Sequence, residues 1–126
     1  MTDKTPVTSP AAPAAGPYSP GLSAGEWVFL AGQTGPGQTI EDQTASTLGK
    51  VAALLSAAGC GPADVVSCLV HLADLADFGR FNAVYERHFP QPRPVRTTVG
   101  AALLGRREGG DHRGRPPAGA HVRGYR

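Results

Sequence analysis

The side chains that most often carry out metal or redox chemistry are few and scattered in this sequence. The two cysteines, Cys60 and Cys68, form no C-x-x-C pair, and the four histidines stand at positions 71, 88, 112 and 121. Neither spacing is typical of a zinc site or a disulfide framework. Cys68 lies within an apolar run and is interpreted as a small buried hydrophobic residue. We therefore predict no structural metal.

Arginine is another residue type that could bind a ligand, and its distribution along the chain is uneven. Residues 1–105 contain six Lys/Arg and eight Asp/Glu, a net charge of −2, whereas residues 106–126 contain six Arg and two acidic residues, a net charge of +4. These values sum to the +2 of the whole chain. A nucleic-acid-binding function would therefore depend on the C-terminal segment alone, and short Arg/Gly runs are more often disordered ends.

The length and apolar content indicate one domain. The chain has 126 residues, of which 40% are apolar, enough for one hydrophobic core and too few for two. The apolar run at 65–75 is interrupted by polar residues and is too short for a membrane span. The first fifteen residues lack the apolar core of a signal peptide. We expect a cytoplasmic protein whose residues 1–11 form a flexible arm.

Two strands and a helix are predicted in the first half of the chain. Residues 27–31 are apolar on both faces and predict the second of two short strands that flank a glycine-bounded turn. Thr39 is a candidate N-cap, with Asp42 three residues later. Apolar or small residues then recur every three or four positions and predict an amphipathic helix that ends at Gly59. They are Ile40, Thr44, Leu48, Val51, Leu55 and Ala58.

The second half of the chain predicts a further helix between two strands. Residues 65–74 predict a strand buried on at least one face, and residues 95–104 predict another buried strand. Asp77 is a candidate N-cap for the helix between them, and the motif P-Q-P-R-P ends this helix. Its apolar side is formed by Phe78, Phe81, Tyr85, His88 and Phe89.

This order of elements, ββ-α-β-α-β, predicts an α+β fold with two helices on one face of a mixed sheet. The opposite face of such a sheet would be bare and rich in apolar side chains. We expect it to pack on another subunit.

Four short motifs, in this order, resemble the Rid family of reactive-intermediate (enamine/imine) deaminases of the RidA/YjgF type, also called the endoribonuclease L-PSP family. They are G-P-Y-S at 16–19, G-Q at 32–33, F-x-x-x-N-x-V-Y at 78–85 and R-T-T-V at 96–99. The region of similarity is a Rid-type domain at 12–105. The resemblance implies a homotrimer of chorismate-mutase-like subunits with active sites in clefts between neighbours.

The resemblance further implies hydrolysis of 2-aminoacrylate and related imines to 2-keto acids and ammonia, without a metal or an organic cofactor. Because an iminium carbon is already electrophilic, the site must mainly hold the substrate carboxylate and position one water. Arg96 would bind this carboxylate through two parallel N–H groups. The alternative for Arg96 is a surface ion pair at a strand end.

Five more positions match the substrate site of the family. Tyr18 would line the cleft, Asn82 would reach across the subunit interface, and Gly32 would let the backbone approach the ligand closely. Their alternatives are a core aromatic residue, a helix-surface side chain and a strand-ending glycine, respectively. Ala31 stands where many relatives have Ser, and Thr98 stands where many have Ser or Cys, so one hydroxyl is lost and another is gained.

The C-terminal segment, residues 106–126, departs from the family pattern. Relatives end in a strand of the form V-E-I-x-A-x-A, whose Glu is the proposed water-activating acid or base, and an Arg/Gly/Pro sequence replaces it here. We expect this segment to be disordered and assign no catalytic residue. Codons for residues 109–116, read one nucleotide later, permit V-E-I-T-A-V-A, so we hypothesise a frameshifted reading of the missing strand. The alternative is a genuine extension, and the nucleotide sequence near Arg106 would distinguish the two.

Two other functions stay open from the sequence. One is a non-catalytic trimer that binds small carboxylates, which keeps Arg96 but lacks the family Glu. The other is an RNA-acting or translation-inhibiting protein, an activity also attributed to the family. Residues 1–105 offer no basic stripe for RNA, so a small imine or 2-keto acid is the expected ligand and nucleic acid is not.

Overall fold

The computed structural model describes residues 3–104 and the backbone of residues 120–125. The strands are β1 (Lys4–Val7), β2 (Gly21–Ala24), β3 (Trp27–Leu30), β4 (Ser67–Leu72), β5 (Val95–Gly100) and β6 (Ala120–Tyr125). The helices are α1 (Ile40–Ala57) and α2 (Phe78–His88), and short 3-10 turns occupy Pro62–Asp64 and Leu75–Asp77.

All six strands belong to one mixed sheet in the order β1-β2-β3-β6-β4-β5. Strands β4 and β5 are parallel, and every other neighbouring pair is antiparallel. The α+β class and the mixed sheet predicted from the sequence are confirmed.

The sheet has one covered face and one open face. In β4, Cys68, Val70 and Leu72 are buried, while the residues between them are partly exposed. In β3, Val28 and Leu30 are buried, while the alternate residues are exposed. The buried strand residues form one core with buried residues of both helices. The alternation arises because successive strand side chains point to opposite faces.

The sequence predicted both ends of α1. The Asp42 backbone N–H donates to the Thr39 hydroxyl at 3.1 Å, so Thr39 is the N-cap. Gly59, just beyond the helix, has φ +76°, a left-handed conformation that favours glycine. The buried hydroxyls of Thr44 and Thr47 donate to backbone carbonyls one turn earlier, so these polar side chains are accommodated in the core.

Helix α2 begins at Phe78, directly after Asp77 as predicted, but the Asp77 carboxylate makes no capping hydrogen bond. Instead Asp74 caps the preceding 3-10 turn by accepting from the Ala76 N–H at 2.9 Å. Arg80 pairs with Asp77 at 3.8 Å and with Glu41 of α1 at 2.7 Å, which joins the two helices.

The N-terminal arm differs from the prediction. We expected residues 1–11 to be flexible, but Lys4–Val7 form β1, which pairs antiparallel with β2. Val7 is buried, and Pro6 stands in an edge strand, where a missing N–H is tolerated. Local composition did not predict this strand because pairing and one buried side chain stabilise it.

The C-terminal segment is a second correction. Residues 120–125, which we expected to be disordered, form β6, and β6 pairs with β4 from Leu72↔Ala120 to Ser67↔Tyr125. A last strand is therefore present and completes the sheet between β3 and β4. The expected disorder of residues 106–119, and the frameshift hypothesis for 109–116, fall outside the described residues.

The predicted strand at 95–104 is shorter and less buried than expected. It ends at Gly100, and Leu104 is 99% exposed. Val95 is 70% exposed because it belongs to the open face of the sheet. Strand β5 is thus an edge strand, covered by helix α2 on one face only.

Candidate functional site

A cleft of about 350 Å³ lies where α2 meets the start of β5. The helix supplies side chains one turn apart, and the segment before β5 supplies the opposite wall. The lining residues are Asn82, Tyr85, Glu86, Arg93, Pro94 and Arg96.

Strand alternation places Arg96 on the covered face of the sheet. In the parallel register, Arg96 lies beside Cys68 and Thr98 lies beside Val70, and both of these β4 residues are buried. Arg96 and Thr98 therefore point toward the helix layer, whereas Val95 points away.

Three aromatic rings of α2 surround the Arg96 guanidinium. Its Cζ atom lies 4.7 Å from the ring centroid of Tyr85, 5.5 Å from that of Phe78 and 5.8 Å from that of Phe81. These distances fall within the range of cation–π attraction. Across residues 3–104, Arg96 forms no ion pair with a carboxylate. The surface ion pair considered as the alternative for Arg96 is therefore not found in this part of the chain.

Two buried polar atoms near Arg96 have no hydrogen-bond partner in the described part of the protein. They are Asn82 Oδ1 and Thr98 Oγ1. Unpaired buried polar atoms are costly and usually indicate a missing partner such as water or a ligand. Among the described residues, the cleft thus places a guanidinium without a carboxylate partner beside the Asn82 amide, and the Thr98 hydroxyl lies on the same face of β5.

Burial favours the neutral forms of two neighbouring side chains at the cleft, the Tyr85 phenol and the Cys68 thiol. Burial raises the pKa of the Tyr85 phenol well above its ordinary value, and the neighbouring Cys68 thiol adds to the rise. Burial also raises the pKa of the Cys68 thiol, against smaller lowering effects from Tyr85 and Arg96. Both groups are therefore neutral at physiological pH, and the buried thiol is a poor nucleophile.

The other predicted site residues lie outside this cleft. Tyr18 is exposed in the loop between β1 and β2, where its hydroxyl accepts from the Ala15 N–H at 3.0 Å, so it is not a core aromatic residue. Ala31 and Gly32 follow β3, and the Ala31 N–H donates to the Pro20 carbonyl at 2.9 Å. One chain therefore places Arg96 and Asn82 in the cleft, with Thr98 near Arg96 on the same face of β5, and it places the other three predicted residues elsewhere.

The sequence analysis missed the contribution of the aromatic residues and of Arg93. Phe78 and Tyr85 were assigned to the apolar side of α2 and Arg93 to a helix-ending motif. The available signal was the spacing of aromatic residues at 78, 81 and 85, which places three rings on one helix face.

Neither a metal site nor a membrane span is found among the residues that the structure describes. In residues 3–104, no three His, Cys, Asp or Glu side chains cluster as metal ligands would. No helix in this region is long and apolar enough to cross a bilayer.

Residues 8–108 match the model of a protein family described as endoribonuclease L-PSP. Reactive Intermediate Deaminase A, chloroplastic, from Arabidopsis thaliana is 40% identical over 107 residues, which cover 78% of this chain and 57% of that protein. The chain thus spans little more than half the length of this relative. The 2-iminobutanoate/2-iminopropanoate deaminase of Mus musculus is 35% identical over 112 residues, which cover 79% of this chain and 81% of that protein.

A solved structure has the same fold. The crystal structure of RidA from the Antarctic bacterium Psychrobacter sp. PAMC 21119 superposes with a TM-score of 0.83 at 26% sequence identity. The superposition covers 96% of this chain and 97% of that chain. The similarity therefore extends over the whole architecture of the sheet and its two helices.

Proposed function

This chain belongs to the Rid, or endoribonuclease L-PSP, family, and from that premise we propose that it hydrolyses reactive enamine and imine intermediates of the 2-aminoacrylate type. The products are 2-keto acids and ammonia. The names of the Arabidopsis and mouse relatives support this reaction class.

The observation that carries the proposal is the uncompensated guanidinium of Arg96 in the cleft. Within residues 3–104 no carboxylate pairs with it, and its described neighbours include the aromatic rings of Phe78 and Tyr85, which do not accept hydrogen bonds from its N–H groups as a carboxylate would. A guanidinium in this state can donate two parallel hydrogen bonds to the carboxylate of a 2-imino acid. Thr98 Oγ1 and Asn82 add groups that can hydrogen-bond to the ligand or to water.

The chemistry requires few other groups. Water adds to C2 of the protonated imine, a proton moves from the added oxygen to the nitrogen, and the C–N bond breaks as the C=O bond forms and the remaining hydroxyl proton passes to the departing ammonia. One protonated imine and one water give one 2-keto acid and one ammonium ion. Binding of the carboxylate holds C2 in place for this addition, and such positioning lowers the entropic part of the barrier.

We also propose that the chain acts as a homotrimer whose subunits share the site. The open face of the sheet exposes apolar side chains, among them Trp27, Phe29, Val95 and Val99. Exposed apolar side chains on one face of a sheet are typical of subunit interfaces. In such an assembly, the exposed Tyr18 and the loop at Gly32 would line the cleft of a neighbour.

The test is keto-acid formation from an enzymatic source of 2-aminoacrylate, with semicarbazide trapping the unhydrolysed imine. The wild-type chain is expected to outcompete trapping, Arg96→Gln to lose this activity, and Arg87→Gln to keep it. Arg87 is the matched control because it is an exposed arginine of α2 outside the cleft. Equal activity of Arg96→Gln and the wild type would refute the carboxylate assignment.

Two other outcomes of these experiments would favour a different function. A chain that binds 2-ketobutyrate through Arg96 without turnover would be the non-catalytic carboxylate-binding protein. An endoribonuclease is the second candidate, because the family description names this activity. RNA affinity that falls with salt and disappears when Arg106, Arg107, Arg113 and Arg115 are changed to Gln, with strand β6 left in place, would favour a contribution from the basic segment.

The cytoplasmic location stays a proposal from the sequence. It is checked by fractionation of cells that express the chain, and it is wrong if the chain sediments with organelles. The Arabidopsis relative is named as chloroplastic.

A further inference from the structure

We propose that Phe78, Phe81 and Tyr85 form an aromatic cage that holds the guanidinium of Arg96 in the orientation that binds the substrate carboxylate. Phe78 is the positioning residue at the exposed rim of this cage. The inference rests on the proposed function, since it assigns a role to side chains behind the carboxylate-binding group.

The cage is produced by the spacing of its members on α2. Residues at positions i, i+3 and i+7 lie on one face of a helix, and this face packs over β5. The rings of Phe81 and Tyr85 are 5.5 Å apart at an interplanar angle of 40°, so they form a tilted pair rather than a flat stack. The Arg96 guanidinium lies within 6 Å of all three ring centroids.

Arg96 must be held in place while its N–H groups stay available to the substrate, and an aromatic cage can do this where a protein carboxylate could not. A protein carboxylate that fixed Arg96 would occupy the same N–H groups that the substrate carboxylate needs. Aromatic faces attract the cation through their quadrupole and leave its in-plane N–H groups available. They also form a dry wall that strengthens a charge-assisted hydrogen bond to the ligand.

The three rings differ in what else they stabilise. Phe81 and Tyr85 are buried in the core, so their truncation would damage packing as well as the cage. Phe78 is 40% exposed and belongs to the first turn of α2, so its ring can be changed with little effect on the core. Phe78 is therefore the position that separates positioning from stability.

The experiment compares Phe78→Leu with the conservative variant Phe78→Tyr in the full chain. Binding of 2-ketobutyrate is measured by calorimetry, turnover of the imine gives KM and kcat, and thermal unfolding reports stability. Phe78→Leu is expected to weaken binding by about two- to five-fold, the effect of one exposed cation–π contact. It should raise KM by the same factor with kcat little changed, because Phe78 affects how tightly Arg96 holds the carboxylate and does not contact the reacting atoms, so bound substrate and transition state lose the same interaction energy. Phe78→Tyr should retain wild-type values.

A ligand-free readout completes the test. The Nε–H resonance of Arg96 in a ¹⁵N spectrum is shifted by the ring currents of the cage, and Phe78→Leu is expected to move it while Phe78→Tyr moves it little. An unchanged resonance in Phe78→Leu would overturn the cage. Equal weakening of 2-ketobutyrate binding in Phe78→Leu and Phe78→Tyr, together with a lowered melting temperature, would also overturn the cage, because it would indicate that Phe78 has only a structural role.

The same data separate this inference from the proposed function. Loss of 2-ketobutyrate binding in Arg96→Gln, with wild-type binding in Phe78→Leu, would overturn the cage and keep the carboxylate site. Wild-type binding in Arg96→Gln would overturn both.

Discussion

At the scale of single residues, the proposed carboxylate-binding role of Arg96 requires an arginine rather than a lysine at this position. Its Cζ atom lies within 6 Å of three ring centroids of α2, and a guanidinium carries parallel N–H donors that match a carboxylate. A lysine ammonium would also be attracted to the rings, but as a point charge it would not match both carboxylate oxygens.

Arg96→Lys is therefore expected to lose most ligand binding without loss of the fold. Removal of one charge-assisted hydrogen bond corresponds to about ten-fold or more in affinity. Calorimetric titration with 2-ketobutyrate measures the change, with Arg87→Lys as control and circular dichroism as the check on folding. Wild-type affinity in Arg96→Lys would show that bidentate binding is not used.

The buried pair of Tyr85 and Cys68 predicts a loss of stability at alkaline pH. Burial raises the pKa of both groups above their values in the unfolded chain. A group of this kind gives stability that is fully present below its unfolded pKa and is lost as pH rises through the folded pKa. The unfolded values are 9.0 for the thiol and 10.0 for the phenol, so the free energy of unfolding should decline from about pH 9 upward.

Urea unfolding at pH 7, 9 and 10.5 measures this decline. Tyr85→Phe keeps the ring but cannot ionise, and Cys68→Ala removes the thiol. Each variant should lose less stability than the wild type between pH 9 and 10.5. Identical pH profiles for the wild type and the two variants would contradict the role of these groups.

The candidate site was predictable only in part. The motif around Arg96 and the helix motif that contains Asn82 indicated the residues, and the structure places both in one cleft. Their functional roles stay predictions. The aromatic cage was not predicted, because helical periodicity shows which face of α2 is buried but not which strand residue lies opposite.

At the scale of elements, local signals predicted α1 well and the terminal strands poorly. Thr39 and Gly59 mark the ends of α1 through a hydrogen bond and a backbone conformation that depend on nearby residues. Strands β1 and β6 depend on partners distant in sequence, so their composition carries little signal.

Two glycines, one in the middle of α1 and one just beyond its end, should respond in opposite ways to substitution by alanine. Gly59 has φ +76°, so Gly59→Ala is expected to destabilise the protein by about 1 to 2 kcal/mol. Gly49 lies within the helix, and a Cβ there would meet no atom within 4 Å, so Gly49→Ala should stabilise by about 0.5 to 1 kcal/mol. Chemical denaturation of both variants measures the changes, and the same sign for both would contradict the assigned conformations.

At the scale of the whole molecule, the sheet order assigns different roles to its two faces and to β6. Strand β6 joins β1-β2-β3 to β4-β5, so the halves of the sheet meet through the last described strand. The covered face supports the cleft through Arg96. The open face carries apolar side chains that nothing in the described chain covers, as expected for the subunit interface proposed above.

Burial of the open face in a homotrimer predicts that a charge placed on it will dissociate the assembly. Val95 is 70% exposed on that face, and an aspartate there would carry an unpaired charge into the apolar interface. The wild type should sediment near three times the 13.0 kDa mass of one chain, and Val95→Asp should shift toward one chain mass and lose deaminase activity. Ala45→Asp, an exposed position of α1, is the control and should remain trimeric. A monomeric wild type with full turnover would show that one chain completes the site and that the apolar face has another role.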